Sequence, residues 1–426
     1  MLKKSLFKEL DARGLIFQVS DPKLAELLDG KCVAYAGFDP SGPSLGVGNL
    51  LILIQLMRLA MAGNKVICLI GGGTGLIGDP GGKTKERELL SLQTVEQNAS
   101  LIESQVTKFF NNNGCEITIA NNSAWLKELT LIEFLREIGK RVTVNQMMAK
   151  ESVKRRLERP EEGISFAEFT YMLLQAYDYL YLYDNYDCNL QLGASEQWGN
   201  ISQGIELIRR MRAKEVYGLT TPLLLKSDGT KFGKSEKGNL WLDPQMTSPY
   251  EFYQFWYNLP DDQAVNCMLF FSLKPIEDVI EITENFKKNP KSRLIQKELA
   301  YEMTALVHGV NQAEHAKTSS ELIFSRNLKN LSIEQFQELN KNSPRAYFAY
   351  KRLLENPPLL TELAKESGLV NSISQAKRLI AQGGLYLNDM RVDNIEKRVT
   401  VEDLLFDQWL VLRFGKSHQM LIVFNK

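Results

Sequence analysis

The sequence predicts an α/β protein: a doubly wound parallel sheet, then an α-helical stretch, then a small α/β unit. Three observations predict this. Short apolar strands alternate with helical stretches between residues 32 and 120. Pro249, Pro260, Pro275 and Pro290 interrupt a helical pattern that begins after Trp241. The pair Pro357-Pro358 then sets off a compact tail, residues 359–426.

Residues 3–13 read as a surface helix and 22–29 as a short second one. Strand 32–37, helix 50–62, strand 65–71, helix 88–111 and strand 115–120 follow, and Asn111-Asn112-Asn113-Gly114 stops the long helix. Parallel strands need helical crossovers, so this order implies a Rossmann-like sheet with ligands at the carboxyl ends of its strands. Tyr35, the loop 37–49 and Asp79 then share one crevice. Residues 125–165 read as a helical insertion, and the charged run KESVKRRLERPEEG within it reads as a solvated face. Residues 168–183 read as a buried helix, Pro222 to Gly238 as a polar connection, and the stretch to about 341 as helices. The turn Asn342-Ser343-Pro344 and Pro357-Pro358 bracket a linker.

Composition narrows the function. The chain has 426 residues, zero net charge, 44% hydrophobic and 24% charged residues, so a nucleic-acid surface would have to be a local patch. Cys32, Cys68, Cys115, Cys188 and Cys267 are dispersed with no C-x-x-C pair, which favours reduced thiols and a cytoplasmic protein. No apolar run is long enough to span a bilayer. All three histidines, His308, His315 and His418, lie after residue 300. The first 300 residues therefore work without a histidine base or ligand, against His-dependent hydrolases and common zinc sites.

Several residues could carry chemistry. Val33 to Asn49, VAYAGFDPSGPSLGVGN, is a strand, a glycine-rich turn and a helix start, an arrangement that points backbone N–H groups at a phosphate. Lys231-Phe232-Gly233-Lys234-Ser235 sets two lysines around a glycine, either as polyphosphate neutralisers or as ordinary exposed lysines. Tyr171, Gln175 and Asp178 fall on one helix face and form either a ligand site or an internally satisfied network. Gly73-Thr74-Gly75-Leu76-Ile77-Gly78 matches a dinucleotide fingerprint literally, which leaves a nicotinamide-dependent oxidoreductase as a third reading. Asp79-Pro80-Gly81-Gly82 follows where that fingerprint needs a helix, so the stretch reads better as a bend presenting Asp79.

The two loops resemble the nucleotide-binding signatures of class I aminoacyl-tRNA synthetases. The whole chain resembles the bacterial-type tyrosyl-tRNA synthetase family. GFDPSGPSLGVGNL is similar to that family's GFDPTADSLHIGHL, and KFGKS to its KMSKS-type loop; EFTYMLLQAYDYL, QLGASEQWGNI, SPYEFYQFWYNL and the tail extend the likeness. The resemblance implies tyrosine activation by ATP, with accompanying Mg²⁺ and no protein-bound metal, then transfer to tRNA. It implies tyrosine contacts by Tyr35, Asp79, Tyr171, Gln175, Asp178 and Gln197. It implies ATP contacts by Gly37, Asp39, Gly48, Gly193, Glu196 and Lys234, and catalytic roles for Ser41, Asn49, Lys83, Arg87, Lys231 and Lys234. Arg209 and Arg210 would meet the acceptor arm of tRNA.

The tail SISQAKRLIAQGGLYLNDMRV resembles an RNA-binding module shared with the fourth small-subunit ribosomal protein, with Lys377, Arg378 and Arg391 as phosphate contacts. Residues 351–426 carry only 11 Lys+Arg against 9 Asp+Glu, so charge adds little. The implied domains are a catalytic one over 1–245 with an insertion at about 125–170, an α-helical anticodon-binding one over 246–345, and the RNA-binding one over 355–426. A homodimer is also implied. The chain departs from the family at Gly46 and Asn49, where the signature has histidines, and at Glu196, where it has Asp. Loss of a phosphate donor at Gly46 leaves two alternatives, a slower enzyme or a paralogue that binds tyrosine or RNA to regulate.

Overall fold

The structure is a computed structural model, and it describes residues 5–79, 90–150, 153–154, 157, 163–225, 232–235, 238–324, 328, 331–340, 343–415 and 418–425. The chain divides into two compact units, 1–313 and 314–426.

The first unit is built on a six-stranded sheet. Its strands are β1 (Gln18–Val19), β2 (Val33–Phe38), β3 (Lys65–Ile70), β4 (Thr118–Asn121), β5 (Leu190–Ala194) and β6 (Tyr217–Thr221). The order is β1-β6-β5-β2-β3-β4, parallel throughout except for the antiparallel edge strand β1. The doubly wound parallel sheet expected from the sequence is thus present. Strands buried on both faces read as continuous apolar runs, as β3 does with five consecutive buried residues. A separate ribbon pairs β7 (Lys234–Ser235) with β8 (Gly238–Asn239).

Helix α1 (Leu6–Ala12) precedes the sheet, and α2 (Val47–Met61) follows β2. Helix α2 begins three residues earlier than its apolar run suggests, because Gly46 is its extended N-cap and the Asn49 side chain accepts from the Gly46 N–H at 3.2 Å. Ten of its residues are buried, so it runs through the unit rather than over it. Helix α3 (Leu92–Asn112) is capped by Ser91, whose side chain accepts from the Thr94 N–H, and Gly114 at φ +68° turns the chain out of it. Among its described residues the insertion, read as helical, is a series of short helical pieces, including a π-turn over Phe134–Ile138. Helix α4 (Phe166–Tyr186), capped by Ser165, packs on α5 (Trp198–Arg212).

Helices α6 (Pro249–Tyr257), α7 (Asp261–Phe271), α8 (Ile276–Lys288) and α9 (Leu294–His308) complete the first unit. Three of them start with or just after Pro249, Pro260 and Pro275, where a missing N–H costs no helical bond. No described helix is long and apolar enough to cross a membrane.

The second unit carries the strands β9 (Arg345–Ala349), β10 (Leu385–Leu387), β11 (Met390–Arg391), β12 (Trp409–Phe414) and β13 (His418–Asn425), in the order β11-β10-β12-β13-β9. Here β9 lies in the stretch that reads as a linker, yet it pairs in parallel with β13. That pairing spans more than seventy residues of sequence, so no local pattern announces it. Side chains alternate along β12 and β13. Leu410, Leu412, Ile422 and Phe424 join one core cluster, whereas Val411, Leu421 and Val423 join another with Leu328, Leu331 and Phe336. Both faces of β12 and β13 are therefore covered.

Candidate active site

The order of the strands makes the site. From β2 the chain steps outward through β3 and β4, then returns through α4 to β5 on the other side of β2. Connections leave the carboxyl ends of β2 and β5 in opposite directions, and a crevice opens between them. A cavity of about 340 Å³ lies there. Tyr35, Gly37, Asp39 and Ser41 reach it from β2 and the loop beyond, and Gly48 and Asn49 from the start of α2. Asp79 reaches it from the bend after β3, Tyr171, Gln175 and Asp178 from one face of α4, and Gly193, Glu196 and Gln197 from β5 and the turn after it.

At the buried end, Asp178 is 1% exposed. Its two oxygens accept from Asn122 Nδ2 at 2.9 Å and Trp125 Nε1 at 2.8 Å. Burial pushes its carboxyl up to about 7, against the pull of those two hydrogen bonds. Tyr35 is fully buried, and its hydroxyl has no hydrogen-bond partner among the described residues. Burial first, and then the nearby Asp178 charge, push that phenol well up. Gln191 stands opposite Tyr35 on β5, and its Oε1 is likewise buried without a partner among them. A buried polar group left unpaired costs about 1–3 kcal/mol. Asn122 and Trp125 thus hold Asp178 in place with one hydrogen bond to each oxygen, each of which can accept another, and a phenol and an amide oxygen are left unpaired for a ligand.

Nearer the mouth, amides and carboxylates interlock. Gln197 Nε2 donates to Asp79 at 2.6 Å, Gln175 Nε2 to Gln197 at 3.2 Å, and Asn200 Nδ2 to Gln175 at 2.9 Å. Asp39 accepts from the Tyr171 hydroxyl at 2.9 Å and from Thr74 at 2.8 Å. The glycine run before Asp79 serves this packing: a Cβ on Gly71 would lie 2.1 Å from Asp39 Oδ1, and one on Gly72 would lie 2.3 Å from Asn121 Oδ1. Within the fingerprint-like stretch only a 3₁₀ turn, Thr74–Leu76, forms before Gly78 bends at φ +85°.

The two loops of the sequence are one structure. The Val47 N–H donates to Leu240 O at 2.9 Å, Leu242 N–H to Leu45 O at 2.9 Å, and Leu240 N–H to Gly233 O at 3.0 Å. Gly233, at φ +84°, lies so close to α2 that a Cβ would come 3.1 Å from the Gly48 nitrogen. Lys83, Arg87 and Lys231 lie outside the described residues. Lys234 is described only in its backbone, where it pairs with Asn239 in the β7–β8 ribbon.

The profile for tRNA synthetases class I (W and Y) matches residues 28–325, and that for the Tyrosine--tRNA ligase SYY-like C-terminal domain matches 336–422. The chain belongs to the class I tRNA synthetases of the W and Y family. A tyrosine--tRNA ligase of Roseiflexus castenholzii is 43% identical over 98% of this chain and 99% of its own length. Tyrosine--tRNA ligase 2 of Enterococcus faecalis is also 43% identical, over 99% of this chain and 100% of its own. Among solved structures, the C-terminally truncated mitochondrial tyrosyl-tRNA synthetase of Aspergillus nidulans superposes with a TM-score of 0.68 at 32% identity. It covers 76% of this chain and 95% of its own.

Five polar residues of this synthetase site escape sequence reasoning: Asn122, Trp125, Thr74, Gln191 and Asn200. Asn122 stands just past the carboxyl end of β4, so a rule that scans every strand end would have flagged it. Trp125 carries no such signal. Arg209 and Arg210, in contrast, stand apart from the cavity, on the last turn of α5. Both pair with Glu206, Arg209 at 2.8 Å and Arg210 at 2.6 Å, and Arg210 also donates to the Arg141 carbonyl. Lys377 and Arg378 are exposed on the helix Ile373–Ala381 of the second unit. The Arg391 guanidinium lies against Gly383, at a place where a Cβ would be 2.1 Å away.

Asp178 gives the free protein a pH signature. Its carboxyl ionises at 3.8 in an open chain and near 7 in the fold, so between those values the native state holds the extra proton. Stability then falls as pH rises across that window, by up to about 4 kcal/mol, and stays level above it. Burial of His308, which lowers its imidazole to about 4, makes stability rise over pH 4 to 6.5, so the Asp178 slope is read as the difference in urea stability between the unaltered chain and Asp178→Asn from pH 4.5 to 8. Equal slopes in the two proteins would contradict the assignment.

Proposed function

We propose that the chain is a tyrosine–tRNA ligase, which activates L-tyrosine with ATP and passes the tyrosyl group to the 3′ end of its tRNA. One observation carries the reading: the buried, partnerless Tyr35 hydroxyl beside Asp178 at the inner end of the cavity. A substrate phenol there donates to Asp178 and accepts from Tyr35. The substrate ammonium then meets Asp79, Tyr171, Gln175 and Gln197. Gly37, Asp39, Gly48, Gly193 and Glu196 serve ATP, which arrives with Mg²⁺. The substrate carboxylate attacks the α-phosphate in line and pyrophosphate leaves; the terminal ribose hydroxyl of tRNA then takes the tyrosyl group from the adenylate. Both nucleophiles belong to substrates, so positioning and charge stabilisation are what the protein supplies. Ser41, Asn49, Lys83, Arg87, Lys231 and Lys234 are the proposed charge-stabilising groups.

Residues 1–245 form the proposed catalytic domain, 246–345 the helical anticodon-binding one and 355–426 the RNA-binding one. Arg209 and Arg210 serve the acceptor arm, and Lys377, Arg378 and Arg391 the tRNA backbone. Exposed apolar side chains on the insertion (Leu131, Ile132, Val144 and Phe166, each at least 59% exposed) support a homodimer through that surface. The dispersed cysteines support a cytoplasmic location.

Tyrosine-dependent ATP–pyrophosphate exchange tests the reading. Exchange with tyrosine and not with phenylalanine is expected, and the absence of both exchange and tyrosine binding would overturn the reading. For the RNA surface, changing Lys377 and Arg378 to alanine should reduce the salt dependence of tRNA binding by about two counterions. An unchanged slope would remove both from the interface.

A further inference from the structure

We propose that Phe232, which stands between Lys231 and Lys234 in the sequence, is a positioning residue tied to helix α7, so that the packing of α7 sets where Phe232 and Gly233 stand beside the cavity. This rests on the reading that the loop serves ATP.

Phe232 lines the cavity, yet it is only 5% exposed. It meets Phe255 edge-on at 5.3 Å, Trp256 at 5.8 Å and Phe271 at 5.9 Å between ring centroids. Phe255 and Trp256 come from α6, and Phe271 is the last residue of α7. Trp256 and Phe271 pack on each other at 4.9 Å, so the loop's ring enters a cluster that is already assembled.

The end of α7 is itself held. Arg58 donates to Phe270 O at 3.0 Å and Ser272 O at 2.6 Å. Arg13 donates to Leu269 O at 3.1 Å, Ser272 O at 3.0 Å and the Lys274 carbonyl. Two buried guanidiniums on one helix C-terminus repel each other; Glu9, paired with Arg13 at 2.9 Å, and the carbonyl dipoles there offset that. Geometry of this kind tolerates little displacement of α7.

Arg58 belongs to α2, the helix whose first turn faces the cavity. The contacts therefore close a ring: α2 through Arg58 to α7, through Phe271 to Phe232, and through Gly233 back to Gly48. An ordinary core phenylalanine would lack that last link. With it, a shift of α7 moves the phosphate-facing loop against the phosphate-facing helix start, and such misplacement costs up to roughly 100-fold in rate.

The test compares the full chain with Phe232→Ala, Phe232→Met and Phe271→Ala, with Phe271→Leu as the milder version should Phe271→Ala not fold. In ATP–pyrophosphate exchange, Phe232→Ala and Phe271→Ala should lower kcat/KM for ATP by roughly 10- to 100-fold and leave KM for tyrosine within about twofold. Phe232→Met should restore most of the loss. Equal effects on both substrates, or none from Phe271, would overturn the proposal. Trypsin cleavage after Lys231 and Lys234, followed by mass, reads the tie without catalysis. It should quicken in Phe271→Ala at temperatures where the fold is intact; unchanged cleavage would overturn the tie. Faster cleavage in a chain that neither exchanges nor binds ATP would instead fault the functional reading and leave the tie standing.

Discussion

Replacing Gly46 with histidine is expected to raise the rate of tyrosyl-adenylate formation by roughly 100- to 1000-fold, the usual worth of one donor aimed at developing phosphate charge. The backbone conformation there admits a side chain. Gly46 is an N-cap with φ −101° and ψ 171°, a conformation that any residue adopts. Its Cβ would lie 3.3 Å from Leu240 O, close enough to ask for a shift of a few tenths of an ångström. The neighbouring donors are already organised. Asn49 Oδ1 accepts from the Gly46 N–H, which leaves Nδ2 as the end free to donate. Single-turnover adenylate formation by Gly46→His and the unaltered chain decides the matter. Equal rates would mean that Ser41, Asn49 or the lysines already carry the whole charge, and that nothing is missing at position 46.

Tyrosine over phenylalanine is expected to be selected by roughly 10⁴- to 10⁵-fold in kcat/KM, a range for which tyrosyl-tRNA synthetases are themselves the standard example. The figure belongs to that class of enzyme. What the structure adds is a trade between binding and folding at Tyr35. Its hydroxyl has no partner among the described residues of the free protein, so Tyr35→Phe should stabilise the fold by about 1–2 kcal/mol. The same change removes one of the two groups offered to the substrate phenol, and selectivity should fall by roughly 10- to 100-fold. Urea unfolding and amino-acid-dependent exchange on one preparation give both readings. Selectivity that survives while stability rises would leave Asp178 as the sole reader of the phenol. A loss of stability would mean that the hydroxyl has a role in the fold.

Much of the site was legible because its signals are local. Tyr171, Gln175 and Asp178 share a helix face by spacing alone, and that face lines the cavity. The glycine-rich turn before α2 and the bend at Gly78 follow from residue types whose backbone preferences act over a few positions. What could not be read lies in pairs far apart in sequence. Asn122 and Trp125 hold the oxygens of Asp178 from more than fifty residues away. Their types fit a surface turn as well as a buried network.

The sequence by itself determined the kinds of element, their order, the chemistry available in the first 300 residues and the likeness to one synthetase family. Only the tertiary structure decided that the chain returns to the far side of β2, and so where the crevice opens. It alone decided that β9 completes the second sheet, and that Phe232 joins a lysine loop to α7. The reason is physical. Element type follows from propensity and hydrophobic period within a dozen residues, whereas strand order, ring clusters and unpaired buried hydroxyls are set by packing among surfaces that meet only once the chain has folded.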